Sequence, residues 1–479
     1  MPSVLSDPPA IPEPPACRSP MTATTCAEDD AGAASRARSR RAAFALDTSI
    51  LAALLAASSA PTPLYPLYQD RWGISALVVT VVFSAYALSL LLALLTTAAL
   101  SDHLGRRPVL TGALLVEAAA MVVLASADSA APLIAARVLQ GVATGAATSA
   151  AGAVLLDLDD PRRPGRSALT NSIAPVAGMA TGVLAATLLV AFAPAPTVTV
   201  YVLLAALFVA QALAVTFTEE TAARRAGALR SLRPRLRVPA TARPALLAVG
   251  TGVVAIWALG GFYSSLGPAL VRLVAPEAPQ AARGMVFFAL SASAALTVWT
   301  LRRTAPSTAA IGGCVTVLPA TALTLGGLHG AGLPAVYGGA ALAGVAFGAV
   351  SQGALRMILA SLEEADRATT LAAYYVLSYL AMSLPAVAAG AATQLYGLAT
   401  TSHTYAVVSA LLALAALAAL ATLAAPRRRA APIPQPTTST DNNGTVIAPA
   451  TVQDIAPRAD QRHRRPSEQS AAPGSVPTR

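Results

Sequence analysis

Apolar residues run through this chain in long blocks separated by short polar segments. A helix rising about 1.5 Å per residue needs about 20 such residues to cross a bilayer, and the blocks at 43–65, 77–100, 108–127, 131–155, 167–192 and 196–216 each meet that length. A second set follows at 245–271, 280–301, 306–327, 333–360, 369–396 and 402–424. The pattern predicts an all-α integral membrane protein of about 12 transmembrane helices in two sets of six. The expected organisation is a disordered N-terminal tail (1–42), a first set (43–216), a basic linker (217–244), a second set (245–424) and a disordered C-terminal tail (425–479). The linker carries Arg224, Arg225, Arg230, Arg233, Arg235, Arg237 and Arg243, with Pro234, Pro239 and Pro244 to discourage one continuous helix. The tails are rich in Pro, Ser, Thr and Ala and lack the apolar surface to fold.

Composition supports a lipid-solvated chain: 55% of residues are hydrophobic, only 12% are charged, and the mean hydropathy is +0.60. A net charge of +10 would suggest nucleic acid as the partner of a soluble protein. Here the basic residues instead mark one side of a membrane. Arg36, Arg38, Arg40 and Arg41 precede the first span, and Arg106, Arg107, Arg162, Arg163, Arg166, Arg302, Arg303, Arg367 and Arg427 to Arg429 fall on the same side, while the opposite loops hold scattered charges such as Asp70, Arg71, Asp128, Arg272, Glu277 and Arg283. The positive-inside rule makes both termini cytoplasmic. All basic residues are arginine, which with the alanine load suggests a GC-rich bacterial genome and hence a multi-pass protein of the bacterial inner membrane. The first span follows positive charge as a signal peptide would, but its length and the many later spans mark an uncleaved anchor. Cys17, Cys26 and Cys314 show no disulfide or metal-ligand spacing, and His103, His329, His403 and His463 fall in loops or the tail. No cofactor, metal or catalytic set is expected.

The two sets repeat one another. Gly141-Val142-Ala143-Thr144-Gly145-Ala146 in the fourth span recurs as Gly344-Val345-Ala346-Phe347-Gly348-Ala349 in the tenth. Ser58-Ser59 with Pro61 and Pro63 matches Ser264-Ser265 with Gly267 and Pro268, and Ser172, Pro175 and Gly178 match Ser383, Pro385 and Gly390. Three matches in the same order point to two pseudo-symmetric halves with a binding site between them.

Between the second and third spans, Ala98-Ala99-Leu100-Ser101-Asp102-His103-Leu104-Gly105-Arg106-Arg107 resembles the signature loop of the major facilitator superfamily, G-x-x-x-D-[RK]-x-G-[RK]-[RK]. Asp102, Gly105, Arg106 and Arg107 match, while Ala98 and His103 depart from it. Gly105 permits a tight turn with positive φ, and Asp102 can face an arginine and the positive end of a helix. The resemblance implies a gating loop whose contact with the start of the eleventh span, near Thr369 and Thr370, latches the cytoplasmic side. A solvated aspartate in a positive-inside turn is the alternative.

Arg137-Val138-Leu139-Gln140-Gly141 with Gly145 is similar to the superfamily's fourth-span motif linked to proton coupling. An arginine in hydrocarbon needs a partner or a wet cavity. Arg137 lies roughly 9 Å and Glu117 roughly 16 Å from the outer surface by helical rise, so the long arginine side chain can reach the acid. Protonation of Glu117 would then change the pairing; a static polar cluster is the other reading. Leu46-Asp47-Thr48-Ser49-Ile50 resembles a first-span motif of proton-linked drug exporters, with Asp47 as a third proton-coupling candidate or as a snorkelling interfacial acid. Ala174-Pro175-Val176-Ala177-Gly178-Met179 resembles the antiporter motif G-P-x-x-G-G with two glycines replaced, and implies a hinge at Pro175 and Gly178.

The superfamily places its cavity between the first, fourth, seventh and tenth helices, helped by the second, fifth, eighth and eleventh. On these spans the candidate substrate contacts are Ser58, Ser59, Gln140, Asn171, Trp257, Tyr263, Gln352, Tyr374 and Tyr375, with Tyr86, Phe262 and Tyr379 as further aromatics. So few charges suit an amphipathic small molecule. The expectation is a monomeric secondary transporter of the plasma membrane, exporting a drug or metabolite by alternating access against protons. Import of a small metabolite by the same fold, or a non-transporting membrane sensor, are the alternatives.

Overall fold

The computed structural model describes residues 20–160, 162–163, 165–223, 225–232, 238–360 and 362–424. The expectations for residues 1–19, for Arg224 and the linker residues 233–237, and for the tail 425–479 fall outside these. Among the described residues, ten helices are long and apolar enough to cross a membrane. The first eight are α1 (Pro20–Ser59), α2 (Ala76–Thr97), α3 (Arg106–Ala125), α4 (Ala130–Asp157), α5 (Arg166–Phe192), α6 (Pro196–Thr216), α7 (Arg243–Ser265) and α8 (Gln280–Thr300). The ninth apolar stretch is divided by a wide turn, Gly327–Ala331, where Gly330 has φ 103°, into α9 (Pro306–Gly326) and α10 (Gly332–Ala360). The tenth, Glu364–Ala424, breaks at Gly397, with φ 81°, into α11 (364–396) and α12 (398–424). Twelve spans result among the described residues, with ends within a few residues of those expected.

Local sequence explains several of these ends. Ser75 caps α2 by accepting a hydrogen bond from the Val78 amide at 3.3 Å. Prolines open α6, α7 and α9, where the missing N–H costs nothing. One boundary differs from expectation: α1 begins at Pro20, inside the segment read as a disordered tail. That segment is rich in alanine, the strongest helix former, and holds no proline after Pro20.

In lipid no hydrophobic force draws helices together, so close packing of small residues must do it. A Cβ on Gly141 would fall 2.0 Å from Ser89 Oγ and 2.4 Å from the Tyr86 carbonyl, which seats α4 on α2. The repeat partner Gly344 seats α10 on α8 in the same way, 2.0 Å from the Leu290 carbonyl and 2.1 Å from Ser293 Oγ. The internal repeat is therefore a repeat of backbone contacts.

With the arginine-rich side taken as cytoplasmic, the two halves close on each other at the outer side. Gly284 of α8 lies against Thr187 of α5 and Pro63, and Gly390 of α11 against Thr80 and Leu77 of α2. Arg272 and Asp70 add an exposed ion pair at 3.1 Å between the halves, worth about 0–1 kcal/mol. Nearer the middle, Ser84 Oγ of α2 donates to the Ser383 carbonyl of α11 at 3.2 Å.

Gly141→Val and Gly344→Val are each expected to destabilise the purified protein by about 1–3 kcal/mol through overpacking. Gly112→Ala, where a Cβ would meet nothing within 4 Å, should leave stability unchanged or slightly higher. A thermal melt followed by size-exclusion chromatography checks both.

Candidate functional site

The helix contacts of the N-terminal half bring a charged cluster into its centre. Arg137 on α4 is fully buried, its guanidinium carbon 4.2 Å above the centroid of the Tyr86 ring on α2. Gly141 lies one turn further along the same face of α4, so the close approach that seats α4 on α2 also sets this cation over its ring. Arg137 Nη1 donates to Gln140 Oε1 and, at 3.4 Å, to the Ser58 carbonyl of α1. Glu117 on α3 is equally buried and accepts a hydrogen bond from Thr144 Oγ1 at 3.2 Å. Gln140 adjoins both the guanidinium and the carboxyl group.

Among the ion pairs of the described residues, none joins Glu117 to Arg137. Gln140 stands between them instead. Glu117 Oε1, Arg137 Nε and Nη2, Gln140 Nε2 and the Tyr86 hydroxyl are buried without a hydrogen-bond partner. Leaving a buried charge so poorly matched costs several kcal/mol, and such strain is characteristic of functional polar groups inside a membrane.

The C-terminal half presents an aromatic surface. Trp257 of α7 packs on Phe347 of α10 and Tyr379 of α11, with centroids 5.2 and 5.3 Å apart. Tyr375 continues the array at 6.3 Å from Tyr379, and Tyr374 lies beside Tyr375, Trp257 and Ser351. Trp257 Nε1 and Ser351 Oγ are buried without partners. Tyr379 and Met382 pack against Tyr86, Ala87 and Leu90, which joins the aromatic surface to the charged cluster across the two halves.

Several residues singled out in the sequence lie elsewhere. Asp47 is buried, not snorkelling, with Oδ2 unpartnered, yet it stands eleven residues, about 16 Å along α1, from Ser58 beside Arg137. Tyr263 points into the interior of the C-terminal half, its hydroxyl 2.5 Å from Thr324 Oγ1. Gln352 donates to the Val298 carbonyl of α8 at 3.2 Å, its Oε1 left free of a partner. Ser59 donates to the Met179 carbonyl at 2.9 Å, tying α1 to α5, and Asn171 rests against Gly152 of α4. Helix α5 continues through Pro175, and at Gly178 α1 comes close: a Cβ there would lie 2.1 Å from the Ala52 carbonyl. Sequence reasoning passes over Thr144, Phe347 and Ser351, whose residue types carry no signal until the helices are packed.

At the cytoplasmic loop after α2, Gly105 adopts φ 101° as its turn requires. Among the described residues, no hydrogen bond or ion pair ties Asp102 to α11. Asp102 pairs with Arg106, Arg106 Nε reaches Asp157 at the end of α4 at 3.3 Å, and its Nη1 donates to Ser101 Oγ at 2.7 Å. Thr369 and Thr370 turn their hydroxyls back to the Asp366 carbonyl. The loop is bound instead by the start of the linker. Glu220 accepts from the backbone amides of Arg106 at 2.8 Å and Arg107 at 3.2 Å, capping the positive end of α3. Thr221 donates to Asp157, Arg107 donates to the Thr216 carbonyl, and the Arg225 amide donates to the His103 carbonyl. Glu220 carries no signal in the sequence because its partners lie more than a hundred positions away.

The sequence profile of the Major Facilitator Superfamily matches residues 48–322. The chain belongs to this superfamily. Solved transporters share the fold. A bacterial homolog of the human lysosomal transporter Spinster, inward-facing and unoccupied, has a TM-score of 0.65 at 14% identity, over 80% of this chain and 97% of that one. The nucleoside transporter NupG has a TM-score of 0.59 at 13% identity, over 79% and 98%. The human organic anion transporter MFSD10 (TETRAN) has a TM-score of 0.54 at 19% identity, over 79% and 99%. No curated protein matches the sequence. This facilitator is thus a multi-pass membrane transporter, in which the charged cluster and the aromatic surface meet where its two halves join.

Glu220→Ala removes the acceptor for two amides at the start of α3 and should weaken that turn by about 1 kcal/mol. Hydrogen exchange at the amides of Arg106, Arg107 and Val109 is then expected to quicken about fivefold, with exchange in α7 to α12 unchanged.

Proposed function

We propose that this facilitator exports amphipathic drugs or metabolites across the plasma membrane in exchange for protons. The observation that carries the reading is Glu117, a fully buried acid that shares Gln140 with a fully buried arginine and lacks a direct ion pair. When the acid is ionised, Gln140 and Thr144 relay its attraction to Arg137. Protonation removes that attraction and frees the Arg137 guanidinium to hold the Tyr86 ring more firmly. Tyr86 belongs to the small cluster against which Tyr379 and Met382 of the other half pack, so the protonation state of one acid biases the packing between halves. A ligand can bias the same packing by differential contact with the two arrangements, which is the requirement for coupling.

The substrate class follows from what lines the junction. Trp257, Phe347, Tyr375 and Tyr379 offer flat apolar surface, to which Tyr86, Trp257 and Ser351 add a few polar atoms. That combination suits a ring-bearing molecule with a few polar groups. The sealed outer side corresponds to the stage of alternating access in which the site faces the cytoplasm, where an exporter collects its load.

In inverted vesicles energised by an imposed proton gradient, uptake of an amphipathic fluorescent dye is expected for the wild type and lost in Glu117→Gln, which should still exchange dye in counterflow. Proton-driven uptake undiminished in Glu117→Gln removes the coupling role. Trp257→Ala should cost about 1 kcal/mol of stacking, roughly a fivefold loss of apparent affinity for an aromatic substrate.

A further inference from the structure

Two histidines that are 74 positions apart in sequence meet at the outer rim of the C-terminal half. His329 sits in the wide turn between α9 and α10, and His403 in the second turn of α12 rather than in a loop. Their Nε2 atoms are 3.3 Å apart, and the rings lie at 82° with centroids separated by 4.9 Å. Each Nδ1 is already engaged. His329 Nδ1 lies 2.8 Å from the Leu325 carbonyl, and His403 Nδ1 lies 2.7 Å from the Ala399 carbonyl. A carbonyl only accepts, so both Nδ1 atoms carry hydrogen, and each neutral ring is left with its lone pair on Nε2.

Two lone pairs therefore face each other across 3.3 Å, an arrangement that repels unless a positive centre lies between them. The spacing identifies a suitable one. Two imidazole nitrogens each about 2.05 Å from one tetrahedral Zn²⁺ stand about 3.3 Å apart. Donation of the far ring nitrogen to a carbonyl is also what orients metal-binding histidines and makes the near nitrogen a better donor. We propose that His329 and His403 form a two-histidine site for a borderline divalent transition metal, Zn²⁺ foremost, on the outer face of the transporter. The metal would clip the α9–α10 turn to α12, joining the two places where glycines of positive φ, Gly330 and Gly397, break otherwise continuous helix. No third His, Cys, Asp or Glu completes the set among the described residues. Water fills the remaining positions, which His329 leaves open to the outside. The donor type excludes Mg²⁺ and Ca²⁺, which take oxygen.

The test uses full-length protein in nanodiscs after chelator treatment. Titration with Zn²⁺ is expected to show a site that His329→Ala or His403→Ala weakens by about tenfold or more, the least that loss even of an outer-shell partner costs. His103→Ala should leave that site intact. Cu²⁺ bound at the same site should give an electron paramagnetic resonance signal split by two imidazole nitrogens. A second arm needs no variant: Zn²⁺ should raise the thermal midpoint of the wild type, and equimolar Mg²⁺ should not. Equal Zn²⁺ affinity in the wild type and both variants, a single-nitrogen signal, or equal effects of Zn²⁺ and Mg²⁺ would each overturn the proposal. A pair held by a shared proton alone would bind no metal and would fail both arms.

Discussion

Gly141 stands so close to the Tyr86 carbonyl that even a methyl group has no room, and most of the site depends on that contact. Lipid supplies no force to press α4 against α2, so the helices are held by van der Waals contact over a surface without side chains. The same approach fixes the rotation of α4. Arg137 and Gly141 share one face, so the guanidinium has to lie over the Tyr86 ring, and Gln140 and Thr144 turn toward Glu117 on α3. A charge that would cost too much in open hydrocarbon is tolerated because packing has brought an aromatic face and an amide to it.

The halves repeat the contact without repeating the chemistry. Gly344 meets Leu290 as Gly141 meets Tyr86, and Ser293 stands where Ser89 does. In the repeat, however, the position of Arg137 is held by Ala340, which is fully buried against apolar neighbours. The C-terminal half has kept the scaffold and given its central surface to Trp257, Phe347, Tyr375 and Tyr379 instead. One half thus carries polarity that can change with a proton, and the other carries apolar surface that can stack on a ligand. Under the proposed reading, Tyr86 and Tyr379 connect the two roles because they belong to one apolar cluster across the junction.

Apart from the start of α1, the spans are legible in the sequence to within several residues, because in lipid the backbone must be helical wherever the chain is apolar. The repeat is legible for a related reason: glycines that permit backbone contact cannot be exchanged without losing it. What the sequence conceals is mostly long-range and polar. Gln140 reads as a ligand contact but lies between Glu117 and Arg137, since depth along a helix says nothing of rotation about it. Asp47 groups with those residues by motif, yet the length of α1 keeps it apart. Glu220 and the His329–His403 pair escape notice because each depends on segments far apart in the chain.

The two sides of the membrane are secured by different physics, and this bears on how the transporter could move. The outer contacts at Gly284 and Gly390 are short-range packing of glycine on threonine and proline, strong only while the surfaces match. Apart from the exposed Arg272–Asp70 pair beside them, they expose little charge when parted. On the cytoplasmic side Asp102, Arg106, Asp157 and Glu220 bind the signature loop to its own half and to the start of the linker. These bonds do not have to break when the halves rock, because none of them crosses to the C-terminal half. The loop is then a rigid cytoplasmic rim for the N-terminal half, tied by Glu220 to the segment that leads into α7. The cap on α3 thereby holds the first residues of the linker to the N-terminal half.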